Sequence, residues 1–265
     1  MRAAFRCAPI VLLYCLSLSL IPAATAAGQP APASAHAPAP VPAPVPDTLA
    51  QRLVACTACH GDPGKPPPRD ERRYFPRIAG KPAGYLYNQL VNFREGRRQY
   101  PLMTWMVTPL SDEYLREIAE HFAAQHLAAT PLDRAALPAA ELARGRQLVT
   151  QGDTALKVPA CIACHGQRLT GTLPAIPGLL GLPRDYINAQ FGAWRNGSRR
   201  AHAPDCMGTI AARLSLADVA AVSAWLASEP QPADPAPQAA GPQPLPLACG
   251  SAKQAASTLA REQAR

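Results

Sequence analysis

Methionines and aromatic residues are scarce in this chain. Its 265 residues include four methionines, three tryptophans and only 6% aromatics overall. Strand-like alternation of apolar and polar residues is absent, which leaves an all-α reading. After residue 22 no apolar run approaches the roughly 20 residues that span a bilayer, so a polytopic membrane protein is excluded. No basic stripe with interleaved aromatics is present either, which argues against a nucleic-acid surface.

What is present begins with an N-terminal address. Arg2 and Arg6 precede "APIVLLYCLSLSLIP" and then "AATAAG", giving a basic region, a short apolar core and a small-residue cleavage zone. Residues 1–27 read as a secretory signal peptide, so the mature chain meets an oxidising compartment. Residues 28–46, which include His36, form an Ala/Pro tract suited to an extended tether, and a second Pro-rich tract follows Leu226. Without Arg2 and Arg6 the formal charge falls from +8 to +6, a mildly basic surface that suits an acidic protein partner.

Cysteine is used in pairs. Cys7 and Cys15 lie in the leader; Cys56 and Cys59 sit in "VACTACHGDPG", and Cys161 and Cys164 in "PACIACHGQR". Each pair is followed at once by a histidine, His60 or His165. Cys206 and Cys249 remain as an even pair able to form a disulfide outside the cytoplasm, although sequence alone does not establish their distance.

The chain also repeats itself. The two Cys-x-x-Cys-His segments are offset by 105 residues, and "YLYNQLVNFREG" (85–96) lies over "YINAQFGAWRNG" (186–197) at an offset of 101. That register aligns Tyr85 with Tyr186, Gln89 with Gln190 and Arg94 with Arg195, and "LSDEYL" (110–115) then matches "LSLADV" (214–219) at 104. The shared segments read as helices. Leu86, Leu90 and Phe93 make one apolar stripe and Ile187, Phe191 and Trp194 its copy, while Ser111 and Ser215 are N-caps for a last helix. The predicted domains are 47–129 and 139–229, joined by a linker at 130–138 and followed by a Pro-rich tail at 230–265. Each copy is small and poor in large apolar side chains, hence marginal unless something fills its centre.

Covalent haem fills that need. Zinc ligand pairs are usually separated by a short loop, and a thioredoxin-like dithiol follows a strand; neither context is present. Two cysteines a helical turn apart can form two thioethers, and the next histidine is placed to ligate iron. Two haems carry four propionates, which bring the net charge to about +2 with ferrous or about +4 with ferric iron. A sixth ligand is available in each copy: Met103 lies 43 residues after His60, and Met207 lies 42 after His165. Met106 competes with Met103, but offset 104 sends Met103 to Met207 and Met106 to Ile210, leaving Met106 for packing. His121, His126 and His202 have bland readings, with His202 a weaker rival for iron.

In these motifs the chain resembles the dihaem cytochrome c4 family, tandem class I cytochrome c domains of bacterial periplasms. The resemblance covers roughly residues 47–228 and rests on the two Cys-x-x-Cys-His segments, the Pro-x-x-x-Gly turns at Pro76 and Pro177, the tyrosine-led helix, the methionine and the "LS" start of the last helix. It implies two haem c groups, held by Cys56, Cys59, Cys161 and Cys164, with His60/Met103 and His165/Met207 as axial ligands. It implies a periplasmic electron carrier rather than an enzyme, working between a quinol:cytochrome c reductase and a terminal oxidase. A cytochrome subunit of a periplasmic dehydrogenase is the alternative. The resemblance also gives Pro76 and Pro177 a role in supporting the proximal histidines. The basic loop at Lys65, Arg69, Arg72 and Arg73, Gly178 in place of Arg77, Cys206 and the long tail depart from the pattern.

Overall fold

A computed structural model describes residues 48–62, 75–125 and 137–252. The signal segment, the first tether, His36, His126, the Lys65–Arg73 loop, most of the 130–138 linker and the chain after residue 252 lie outside the described residues.

The first lobe contains α1 (Leu49–His60), α2 (Ala83–Arg94), α3 (Pro101–Val107) and α4 (Asp112–Ala123). The second contains α5 (Ala139–Thr150), α6 (Ile162–His165), α7 (Arg184–Arg195), α8 (Cys206–Arg213) and α9 (Leu216–Ser228). Among the described residues no single helix is long and apolar enough to cross a membrane. The all-α reading holds apart from a small hairpin of β1 (Gly171–Thr172) and β2 (Ile176–Pro177), too short to show any alternation in sequence.

The predicted stripes form the cores. Leu86, Phe93, Leu115, Ile118 and Phe122 pack together in the first lobe; Ile187, Phe191, Val219, Val222 and Leu226 do so in the second. Ser111 accepts the Tyr114 amide at 3.2 Å, and Ser215 accepts that of Asp218 at 3.0 Å, so both last helices start where the caps predict. Asp218 completes a capping box and also accepts from Arg144 of α5 at 2.8 Å. Helices α5 and α9 cross at Gly145, where a Cβ would lie 2.7 Å from that of Trp225. Only a glycine allows this approach.

The repeat-matched arginines share one bond. Arg94 donates to the Leu110 carbonyl at 3.0 Å and Arg195 to that of Leu214 at 2.6 Å. Each bond ties the tyrosine-led helix to the far end of the methionine-bearing segment. The lobes meet along an antiparallel bridge between Arg98 and Arg199, with Gln99 N–H donating to Ser198 O at 2.8 Å and Arg200 N–H to Arg97 O at 2.6 Å.

The second Pro-rich tract is not a free tail as far as residue 252. Gln238 bridges to Thr172 in parallel, donates to Gly171 O at 2.9 Å and accepts from Leu173 N–H at 2.8 Å. Cys206 and Cys249 form a disulfide.

Candidate functional site

Each Cys-x-x-Cys-His segment ends in a buried imidazole held by one bond. His60 Nδ1 lies 2.8 Å from the Pro76 carbonyl, and His165 Nδ1 lies 2.7 Å from that of Pro177. A carbonyl only accepts, so Nδ1 carries the proton and Nε2 keeps its lone pair for a ligand. Burial lowers the pKa of both rings, which keeps them neutral as iron ligation requires. The Pro-x-x-x-Gly turns therefore serve the histidines through a proline carbonyl.

Two routes position the motifs. In the first lobe Cys56, Cys59 and His60 are the last turns of α1 itself. In the second, α5 ends at Thr150, and a loop tied by the Asp153–Val158 bridge separates it from Cys161 and the single turn α6. Burial, with Cys164 adding, pushes the Cys161 thiol up to about 12. Burial likewise raises Cys164, and it raises Cys56 with Cys59 contributing. Uncharged sulfurs of this kind are compatible with thioethers, which carry no charge. Among the described residues no three His, Cys, Asp or Glu side chains converge to hold a metal ion, so the cysteine pairs do not form one Cys₄ site.

A cavity of about 180 Å³ lies in the second lobe. His165, Cys161, Cys164 and Met207 line it, with Phe191 and Ile210 among its apolar walls. Its rim reaches the first lobe at Lys81, Tyr85 and Gln89. Met103 and Met106 both pack partly buried against the first-lobe core, as does Cys56. His121 stacks edge-on against Phe122, and His202 Nε2 lies 3.2 Å from Arg97.

The lobe junction holds a cluster to which the sequence reading assigned no function. Arg98 donates to Gln89 and to Gln190, each at 2.9 Å. Arg199 donates to Gln190 at 2.5 Å and to Gln89 at 3.1 Å. The guanidinium of Arg98 lies over Phe93 and that of Arg199 over Trp194, at 4.7 and 3.9 Å. Arg199 is only 6% exposed, and among the described residues no carboxylate pairs with Arg98, Arg199 or Lys81. Burial lowers the pKa of Arg199 and of Lys81, with neighbouring cations adding to both shifts. Buried cations without acids are costly unless an anion joins them. The register aligning Tyr85 with Tyr186 and Gln89 with Gln190 was the available signal, since it also aligns Arg98 with Arg199.

A covalent haem fits what is present. Paired sulfurs, a histidine with free Nε2 and a methionine line one largely apolar cavity, and Lys81 and Arg199, which pair with no carboxylate among the described residues, line it too and suit propionates. The buried Ser251 hydroxyl, without a hydrogen-bond partner, also lines it.

No protein-family profile matches the chain. A thiosulfate dehydrogenase electron acceptor of Thiomonas intermedia is 36% identical over 178 residues, spanning 67% of this chain and 79% of its own. Cytochrome c4 of Pseudomonas aeruginosa is 33% identical over 177 residues, spanning 66% and 84%. The chain belongs to the dihaem cytochrome c4-like family. The crystal structure of reduced cytochrome c4 from Pseudomonas stutzeri superposes with a TM-score of 0.56 at 30% identity, over 67% of this chain and 95% of that one. As a member of this family the chain is a c-type cytochrome and an electron carrier, with covalent haem c implied at its Cys-x-x-Cys-His sites.

Proposed function

We propose that this c4-like cytochrome is exported to the periplasm, carries two haem c groups and relays single electrons between respiratory redox proteins. Cys56 and Cys59 would hold the first haem with His60 and Met103 as axial ligands; Cys161, Cys164, His165 and Met207 would hold the second. When bound, haem supplies an iron that changes oxidation state by one electron without taking up substrate.

The protein's part is to hold and insulate. Pro76 and Pro177 fix each histidine tautomer through the Nδ1 bond, leaving Nε2 for iron. Phe191, Ile210 and Val222 give the second cavity apolar walls, which together with methionine ligation would favour a high potential. Arg98, Arg199 and Lys81 would offer positive charge to haem propionates at the junction between the lobes. The observation that carries this reading is the shared cavity: His165 and Met207 line the same apolar space as the paired cysteines.

Two donors fit such a relay, a quinol:cytochrome c reductase and a periplasmic dehydrogenase. The thiosulfate dehydrogenase electron acceptor at 36% identity favours the second. An acidic docking surface on the partner would complement the basic chain. The test is a spectroscopic redox titration of the wild type beside Met103→Ala and Met207→Ala. Each variant is expected to lose half of the methionine–iron absorption and to move one of two redox waves downward. Retention of the full absorption in both variants would refute the axial assignment. Rapid reduction of the oxidised protein by thiosulfate dehydrogenase with thiosulfate, and slow reduction by the quinol enzyme, would select the dehydrogenase donor.

A further inference from the structure

The Pro-rich tract after α9 has no counterpart in the repeat, and its course is specific. It leaves Ser228, seats Gln238 beside the β1–β2 hairpin, and ends at the disulfide from Cys249 to Cys206. Cys206 is the first residue of α8 and directly precedes Met207. Past the disulfide, Gly250 N–H donates to the Pro204 carbonyl at 2.9 Å, and the Asn88 side-chain amide donates to the Ser251 carbonyl at 3.0 Å. Gly250 is buried so tightly against His202 and Ala203 that no Cβ fits there. Leu245, Leu247, Cys249 and Ser251 are walls of the same cavity that His165 and Met207 line.

From this juxtaposition we propose that residues 230–252 form a disulfide-locked lid, which positions Met207 and keeps foreign ligands out of the second haem cavity. The proposal rests on Met207 being an axial ligand. Cys249 and Cys206 are positioning residues: the bond between them pins the first turn of α8, so Met207 has little freedom to swing off its site. Leu245 and Leu247 supply apolar wall that α7, α8 and α9 do not. A dithiol opens the lid by exchange; the Cys206–Cys249 bond takes two electrons and two protons to give two thiols while the dithiol closes to its own disulfide.

The test uses the full-length two-haem protein and four samples beside the wild type: C206S/C249S, L245A/L247A, M207A, and wild type treated with dithiothreitol and then alkylated. Methionine–iron absorption of the ferric form and carbon monoxide uptake by the ferrous form are read in each. The lid predicts that C206S/C249S and the alkylated protein bind about one equivalent of carbon monoxide per chain, with L245A/L247A intermediate and the wild type refractory. The first lobe's half of the absorption should persist throughout and reports that the chain is folded. Hydrogen exchange across residues 238–252 should rise in the same samples. Full absorption and no uptake in all three lid-opened samples, with M207A losing half its absorption, overturns the lid alone. Full absorption in M207A as well overturns the axial reading, and the lid with it.

Discussion

Helix α3 opens at Pro101 with no side-chain cap, whereas α8, its copy, opens under Asp205, which accepts from Gly208 N–H at 2.8 Å. Asp205 also takes the Trp194 indole N–H at 3.2 Å and the Ala201 amide at 2.8 Å. Where the first lobe leaves Leu102 and Trp105 exposed, at 58% and 75%, the second places Cys206 in a disulfide and lays a strap across the cavity. One ancestral plan thus supports two methionine segments with different restraint. The fixed elements, histidine to proline carbonyl and arginine to the Leu110 or Leu214 carbonyl, are those that both copies need. The added ones fasten only the second.

That contrast is best broken at the crossing of α5 and α9. Gly145→Val forces a branched side chain against Trp225 and Ala221 and should cost about 1–3 kcal/mol by overpacking. In a two-transition thermal melt followed at each haem, only the second lobe should shift; equal shifts would mean that the lobes unfold as one. Asp205→Ala comes next. It uncaps α8 and strands the indole N–H, and about 1–2 kcal/mol should be lost from the second lobe with none from the first.

Acid sharpens the comparison with a smaller effect. Burial opposes ionisation of Asp218, yet hydrogen bonds from Ser215 and Arg144 prevail and hold its carboxyl below the usual range. Asp112 is depressed by its hydrogen bond from Arg94, with the charge of Arg94 adding. A depressed carboxylate contributes stability above its unfolded pKa, and that contribution is lost as pH falls through the folded value. The Asp112 side chain is 52% exposed and that of Asp218 only 12%, so solvent screens the first pair more. Between neutral pH and the acid end of the carboxylate range, melting of the second lobe should drop further than that of the first. Asp218→Asn should remove most of the difference.

Much of this was legible in sequence because it is local or repeated. Leu86, Phe93, Ile187 and Phe191 face the core as their spacing predicts, and Ser111 and Ser215 cap where they stand. The arginine–glutamine junction went unread because its chemistry arises between Gln89 and Arg199, residues 110 apart that only lobe docking brings together. The strap was misjudged because proline-rich composition reports a chain's own propensity, not what it finds to pack against. The hairpin of β1 and β2 escaped because two-residue strands carry no period.

By itself the sequence determined the haem-binding motifs, their duplication, one registered methionine for each copy and the helices that carry them, because covalent spacing and helical period are short-range properties. Only the tertiary structure decided that Pro76 and Pro177 hold the histidines through their carbonyls, where the acid-free cations gather, and that Cys249 reaches Cys206. Those depend on burial and on approach between distant segments, which no local pattern encodes.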